Sequence, residues 1–301
     1  MVGTRVKISK KKISKRRNES MLKKAILLVL ILLSIILAGC IEEEPVEVEE
    51  KPTETEKPSS ELRLKIGETA KTSKLEITVE NVFKSKVIGG KYGNYWAEEG
   101  KVFVFAKVSV KNINPELKEW YIGYVSFSAS DERGRRYDVK YMSIDNWFEG
   151  GDLYPGEYRE GLIAFEVPEN IKTLKIKYDF GGLFKVKLAT WEINMSDIPT
   201  KEPKVEILGG EIKYKPYLGG YSVENVKVII KNTGDLPIYI GTIEIKYGDE
   251  SWEYLTYVGS KIRPGEQKTI EVNEFKYLDS KPASVMIRIV DDDKIIAEGY
   301  I

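Results

Sequence analysis

The sequence predicts an all-β protein, with two tandem antiparallel β-sandwiches behind an N-terminal leader and a charged tether. Three observations predict it. Apolar residues alternate with period two through most of the chain beyond residue 62. Gly, Pro and Asp clusters punctuate the runs, and one set of strand motifs occurs twice in the same order. Period-two alternation puts one face of a strand on a core and the other towards water. No stretch beyond the leader carries a 3.6-residue apolar stripe.

The leader comes first. Residues 1–24 carry ten basic side chains and one acid, Glu19, and residues 25–40 carry no charge. Lys23-Lys24 precede an apolar run from Ala25 to Ala38, and residues 37–40 read Leu-Ala-Gly-Cys. Cys40 is the only cysteine of the chain. A basic flank, an apolar stretch too short to span, small residues and a cysteine resemble the lipobox of exported lipoproteins. That resemblance implies cleavage between Gly39 and Cys40 and lipidation of the Cys40 thiol, so that 1–39 is a signal peptide. The alternative is an uncleaved anchor, although the uncharged run is shorter than the ~20 residues a span needs. Either way the positive flank stays inside and the body lies on the outer face of the cell membrane. Met21 opens a more ordinary leader than Met1, so residues 1–20 need not be translated. Arg16-Arg17 is followed by Asn-Glu-Ser, which does not fit a twin-arginine signal.

Residues 40–61 form the tether. From 41 to 61 there are nine glutamates and two lysines, interrupted by prolines. Like charges and proline keep such a segment extended and coreless.

The body follows. Leu75-x-Ile77-x-Val79 and Val102-x-Val104-x-Ala106-x-Val108-x-Val110 alternate, the latter with Phe103 and Phe105 on its other face. Val125-x-Phe127-x-Ala129, Leu162-x-Ala164, Leu174-x-Ile176-x-Tyr178 and Val186-x-Leu188 continue the pattern. Past 203 come Val226-x-Val228-x-Ile230, Ile238-x-Ile240, Ile243-x-Ile245, Ile270-x-Val272, Val285-x-Ile287-x-Ile289 and Ile295-x-Ala297. β-Branched and aromatic residues suit a half-buried pleated surface. Pro155-Gly156-Glu157, Pro264-Gly265-Glu266 and Asp291-Asp292-Asp293 are turn signals. The repeat is explicit. Val108-Ser-Val-Lys-Asn112 is echoed by Val228-Ile-Ile-Lys-Asn232, Tyr121-Ile-Gly-Tyr124 by Tyr239-Ile-Gly-Thr242, and Pro155-Gly-Glu157 by Pro264-Gly-Glu266. From Asn to Pro the first copy is longer, 43 residues against 32. Its extra inter-strand residues are the place to look for function. A polar, proline-containing segment at 194–203 separates a first domain, 62–200, from a second, 203–301.

The first domain resembles a secreted, immunoglobulin-like (telokin-like) domain of unknown function found behind a lipobox. The residues that carry this are Ile66-Gly67-Glu68, Gly100 to Asn112, Asp131 to Tyr137, Leu153-Tyr-Pro-Gly-Glu157 and Gly161 to Pro168. The resemblance implies an immunoglobulin-like sandwich and no catalytic residues. The second domain resembles adhesion-type extracellular sandwiches through Val228 to Gly234 and Ile262 to Glu266.

Composition narrows the chemistry. The chain has 301 residues, no histidine and one cysteine. This excludes Ser-His-Asp and Cys-His catalysis, intrachain disulfides and His- or Cys-rich metal sites. The 47 basic and 47 acidic side chains balance. Once the leader and tether are set aside, the body is nearly neutral and lacks a basic field for nucleic acid. High Lys, Glu and Ile resembles hyperthermophile, archaeal-like usage. Acids on turns and on strand faces shared with lysine read as solvated surface, so no enzyme and no cofactor is expected.

Four groups of candidates remain. Tyr92, Tyr95, Trp96, Trp120 and Trp147 lie between strands; they form either a stacking face for a sugar or partner, or the closures of the core. Asp145, Glu149 and Asp152 share a Gly-containing loop and are either Ca²⁺ ligands or solvated acids. Asn194-Met195-Ser196 is an N-glycosylation sequon, which predicts a surface position. Cys40 is the lipidation site. The reading as a whole is a lipid-anchored, extracytoplasmic binding or adhesion module for an envelope or extracellular protein or glycan. A structural envelope component and a carbohydrate- or Ca²⁺-binding receptor are the alternatives.

Overall fold

The computed structural model describes residues 61–114, 120–181 and 187–301. Gly39, Cys40, the leader and nearly all of the tether lie outside them. The first half contributes β1 (Glu61–Leu64), β2 (Thr69–Lys71), β3 (Leu75–Ser85), β4 (Val87–Gly89), β5 (Asn94–Trp96), β6 (Lys101–Asn112) and β7 (Trp120–Ile122). A single 3₁₀ turn, Tyr124–Ser126, leads into β8 (Phe127–Asp131). Then come β9 (Arg136–Asp138), β10 (Gly151–Leu153), β11 (Tyr158–Pro168), β12 (Thr173–Asp179) and β13 (Leu188–Asn194). The second half contributes β14 (Val205–Tyr217), β15 (Gly220–Asn232), β16 (Ile238–Tyr247), β17 (Glu253–Ile262), β18 (Gln267–Leu278), β19 (Val285–Asp291) and β20 (Lys294–Tyr300).

These strands make an all-β chain of two β-sandwiches. In the first, a sheet ordered β1-β13-β12-β8-β9 faces one ordered β11-β6-β3-β2. In the second, β17-β16-β19-β20 faces β14-β15-β18. All pairs of described strands are antiparallel except β1 with β13. Taken in chain order, β3, β6, β8, β9, β11, β12 and β13 hold the same sheet positions as β14 to β20. The motif echo in the sequence is therefore a repeat of topology.

The inward faces are those the alternation marks. Ile77, Val104, Val108, Phe127, Leu174, Ile176 and Trp191 lie in the first core, and Val226, Val228, Ile240, Ile243, Ile287 and Ile289 in the second. Each such fully buried aliphatic or aromatic side chain contributes roughly 1.5–3 kcal/mol. Among the strands of seven residues or more, β14 and β17 carry no run in the sequence analysis, and β13 carries only the end of one, Leu188. The alternations of β14 and β17 are exposed or half-buried along most of their length, because both are sheet edges. On β13, Ala189, Thr190 and Trp191 are buried in succession, which breaks a period of two. The Asp291–Asp293 turn is a tight hairpin in which Asp292 and Asp293 both have positive φ, 48° and 61°. This is the backbone of a two-residue type I′ turn, which matches strand twist.

β6 departs from half-burial. Phe103 and Phe105, on the face turned away from the first core, are as buried as Val104. A third apolar layer covers them, in which Phe83, Met142, Trp147 and Leu236 pack together with Ile88. The segment 139–148 supplies Met142 and Trp147 by running along the outer edge of β11. Lys140 N–H donates to Ala164 O at 2.8 Å, Phe148 N–H to Leu162 O at 2.9 Å, and Leu162 N–H to Asn146 O at 2.7 Å. Gly161 permits the crossing, since a Cβ there would meet Phe148 Cα at 2.5 Å.

The described residues lie in one compact unit. The two sandwiches meet through the β4–β5 hairpin. Val87 packs in the second core, and Leu236 of the second sandwich packs in the third layer of the first. β16 pairs with β19 only from Thr242 on, and the hairpin fills the place beside Ile238 and Tyr239. Gly89 N–H donates to Pro237 O at 2.8 Å. Asn94 Nδ2 donates to Tyr239 O and its Oδ1 accepts Tyr239 N–H, both at 2.8 Å. The side-chain amide thus stands in for one residue of a neighbouring strand. The segment before β14 is also held: Lys84 N–H donates to Pro199 O at 2.9 Å and Asp235 N–H to Glu202 O at 2.8 Å.

Candidate functional site

The third layer opens onto a small hollow. Its walls are Tyr124 from the 3₁₀ turn and Tyr141 and Trp147 from the crossing segment; Met142 and Phe148 also line it, with Ser143 and Glu149 as polar lining. The hollow measures about 270 Å³. The three rings touch one another. Centroids are 6.0 Å apart for Tyr124 and Tyr141, 6.0 Å for Tyr124 and Trp147, and 5.6 Å for Tyr141 and Trp147, the last two edge to face. Edge-to-face contact is the favoured arrangement of aromatic quadrupoles.

Burial divides the rings by role. Trp147 is 8% exposed and Tyr141 60%. Trp147 Nε1 is buried without a hydrogen-bond partner. Asn146, just before it, has φ 58°, a left-handed conformation that Asn tolerates better than most residues. The crossing segment is tied to the β4–β5 hairpin, with Ser143 N–H donating to Tyr95 Oη and Lys91 N–H to Ser143 O, both at 2.8 Å. Lys91 Nζ lies 5.1 Å from the Tyr92 ring centroid. Its pKa is raised, chiefly by a hydrogen bond to Tyr92 and then by the fields of Tyr92 and Tyr141. On the opposite rim, Arg159 holds the loop by donating to the carbonyls of Glu149 (3.3 Å) and Asp152 (3.1 Å).

The aromatic candidates separate. Trp147 is a wall of the hollow, Tyr92 flanks it and Tyr95 positions its backbone. Trp96 does not join them: it packs against the core of the second sandwich, with Lys294 Nζ 4.5 Å from its ring centroid. Trp120 opens β7, and its side chain lies outside the described residues. The acidic candidates separate as well. Asp145 pairs across the junction with Lys261 at 2.5 Å and Arg263 at 3.8 Å. Among the described residues no three acidic or thiol side chains come together as a metal site. Of the acidic candidates Asp145, Glu149 and Asp152, the first is held by cations of the other sandwich. Asn194 is exposed at the end of β13, and its Nδ2 donates to Asp197 Oδ2 at 3.0 Å.

Tyr124 and Tyr141 are absent from the sequence candidates. The signal for Tyr124 was present in the echo, where the second copy has Thr242. Tyr141 lies in the connection 139–157 between β9 and β11, which is longer than its counterpart 263–266 between β17 and β18.

With this geometry in place, comparison with known proteins adds a family. The family model described as a domain of unknown function, DUF4352, matches residues 64–189. The uncharacterized protein YxkC of Bacillus subtilis is 30% identical over 144 residues, which are 44% of this chain and 79% of that protein. The chain belongs to the DUF4352 family. The DUF4352 match covers the first sandwich from the end of β1 to the start of β13, hollow included, and the second sandwich lies beyond it. Among solved structures, a candidate lipoprotein of B. subtilis, YcdA, is similar at 15% identity and a TM-score of 0.35, over 43% of this chain and 39% of its own. The secreted protein MPT63 of Mycobacterium tuberculosis is similar at 19% identity and a TM-score of 0.35, over 45% of this chain and 99% of its own.

Proposed function

We propose that this DUF4352 protein is exported, anchored through a lipid on Cys40, and displayed on the outer face of the cell membrane as a binding module for an envelope or extracellular partner. The observation that carries the reading is the leader. A basic flank, an uncharged run and Leu37-Ala-Gly-Cys40 coincide with the only cysteine of the chain. The acidic, proline-rich residues that follow are the spacer such a module needs. The aromatic hollow is the contact site in this reading, because concave aromatic surface with a few polar groups is what binding sites are made of. Catalysis has no part in it. The test is detergent phase partitioning of the wild type and a Cys40→Ser variant. The wild type is expected in the detergent phase and the variant in the aqueous phase or as uncleaved precursor. Mature wild-type protein with a free, unacylated Cys40 by mass spectrometry would refute the anchor.

A further inference from the structure

The hollow has a shape and a polarity that specify a ligand class. Its about 270 Å³ is below the roughly 300–1,000 Å³ of pockets for drug-sized ligands, which leaves room for one small ring. Its exposed wall, Tyr141, is a flat face with an apolar body and a hydroxyl at the edge. Two further exposed tyrosines flank the hollow. Tyr92 is 75% exposed and lies beyond Lys91, and Tyr121 is 69% exposed, with its hydroxyl close to Gly150 on the rim. Ser143 and Glu149 supply polar groups, and Trp147 Nε1 is a buried donor without an acceptor. An orphaned buried donor costs about 1–3 kcal/mol, a cost that a ligand oxygen reaching it removes.

A cation fits less well. Cation–π recognition needs the charge within about 6 Å of a ring centroid, over the face. A cation at that distance from the open Tyr141 face would stand near an ammonium that is already there. Lys91 places this resident positive charge beside Tyr92 and Tyr141. A purely apolar ligand would leave the polar lining of Ser143 and Glu149 unmatched. A neutral polyhydroxylated ring fits best, with an apolar face for Tyr141 and equatorial hydroxyls for Ser143 and Glu149.

We propose that the hollow bounded by Tyr124, Tyr141 and Trp147 is a subsite for one neutral sugar ring, and that Tyr92 and Tyr121 extend it along a glycan. The proposal rests on the reading of the protein as a binding module and adds the chemical class of what it binds.

The test uses the full-length protein in a detergent without a sugar headgroup. Cellobiose, mannobiose, chitobiose and lactose are titrated by calorimetry and by tryptophan fluorescence, with choline as the cationic probe. Saturable binding of at least one disaccharide and none of choline is expected. Tyr141→Ala, which truncates an exposed side chain, should weaken binding at least tenfold. Trp147→Phe should remove the fluorescence change, and Phe275→Ala on the second sandwich should leave binding as it was. Circular dichroism verifies that each variant is folded. Absence of binding by all four sugars overturns the proposal, as does preference for choline or affinity unmoved by Tyr141→Ala. An envelope protein captured equally by the wild type and Tyr141→Ala, with no sugar bound, would keep the binding-module reading, move its contact away from the hollow, and overturn this one.

Discussion

Asn112 and Asn232 are fully buried at equivalent places in the two sandwiches. Asn112 Nδ2 donates to Leu153 O at 2.8 Å and Asn232 Nδ2 to Ile262 O at 3.0 Å; Leu153 and Ile262 each stand two residues before the proline of the Pro-Gly-Glu turn. Asn232 Nδ2 also donates to Leu236 O at 2.8 Å. The turns are closed in the same way, with Glu157 accepting Tyr154 N–H at 2.8 Å and Glu266 accepting Arg263 N–H at 2.9 Å. Lys65 to Glu68 form a third such turn, Glu68 accepting Lys65 N–H at 2.8 Å. Asn232→Ala leaves two carbonyls without this donor, so a loss on the order of 2–4 kcal/mol is expected by denaturant unfolding. A loss below about 0.5 kcal/mol would mean that the buried amide is not what holds the turn. Asp131 gives a pH signature. Burial works against its charge, but the N–H groups of Arg135 and Arg133 and the Tyr137 hydroxyl outweigh it and hold its pKa below the ordinary 3.8. The folded form thus holds the ionised carboxylate, and its contribution is present above the ordinary aspartate value and lost as pH falls from there through the lower pKa of the folded form. Asp131→Asn should flatten that part of the acid limb in a stability–pH series, and an unchanged limb would contradict the assignment.

At the scale of elements, the crossing segment 139–148 builds both the third layer and the hollow. Its approach depends on Gly161, where an added methyl would collide with the backbone of Phe148. Gly161→Ala should lift residues 146–148 from β11 and destabilise by about 1–3 kcal/mol, the usual cost of overpacking. Tryptophan emission should shift to the red as Trp147 becomes wetter; unchanged emission with full stability would show that the segment can yield without losing its seat. The sequence marked this region as extra length in the first copy, as a loop with Trp147 and as the acidic, Gly-containing loop that begins at Asp145. That the loop turns back along β11 is not legible, because Phe103 and Phe105 read equally well as an outward face. Only the segment that covers them makes β6 buried on both sides.

At the scale of the molecule, the two sandwiches share core residues across the β4–β5 hairpin, so they should unfold together. Asn94 is the central contact: besides Tyr239 it reaches Asp291, its backbone N–H at 3.1 Å and its Nδ2 at 2.8 Å from the carboxylate. A Cβ on Gly89 would lie 2.8 Å from the backbone of Ile238. The double variant Gly89→Ala, Asn94→Ala should split a single calorimetric transition into two. One transition in both proteins would place the coupling elsewhere. Asp145→Ala removes a partly exposed ion pair and should cost no more than about 1 kcal/mol.

The order of strands, the inward faces and the duplicated plan follow from alternation and turn chemistry, both of which act between near neighbours in the chain. The leader with Cys40 is likewise a local signal. Partners distant in sequence were settled only by folding. Trp96 reads as part of a stacking face or a closure of the core and Asp145 as a Ca²⁺ ligand or a solvated acid; that both lie at the junction is settled by residues of the second sandwich more than a hundred positions away, which supply what they pack against or pair with. Tyr124 and Tyr141 meet Trp147 because the crossing segment runs back along β11, a pairing that alternation does not encode. Side-chain type and spacing say which face of a strand is apolar, and packing between distant segments decides what covers it.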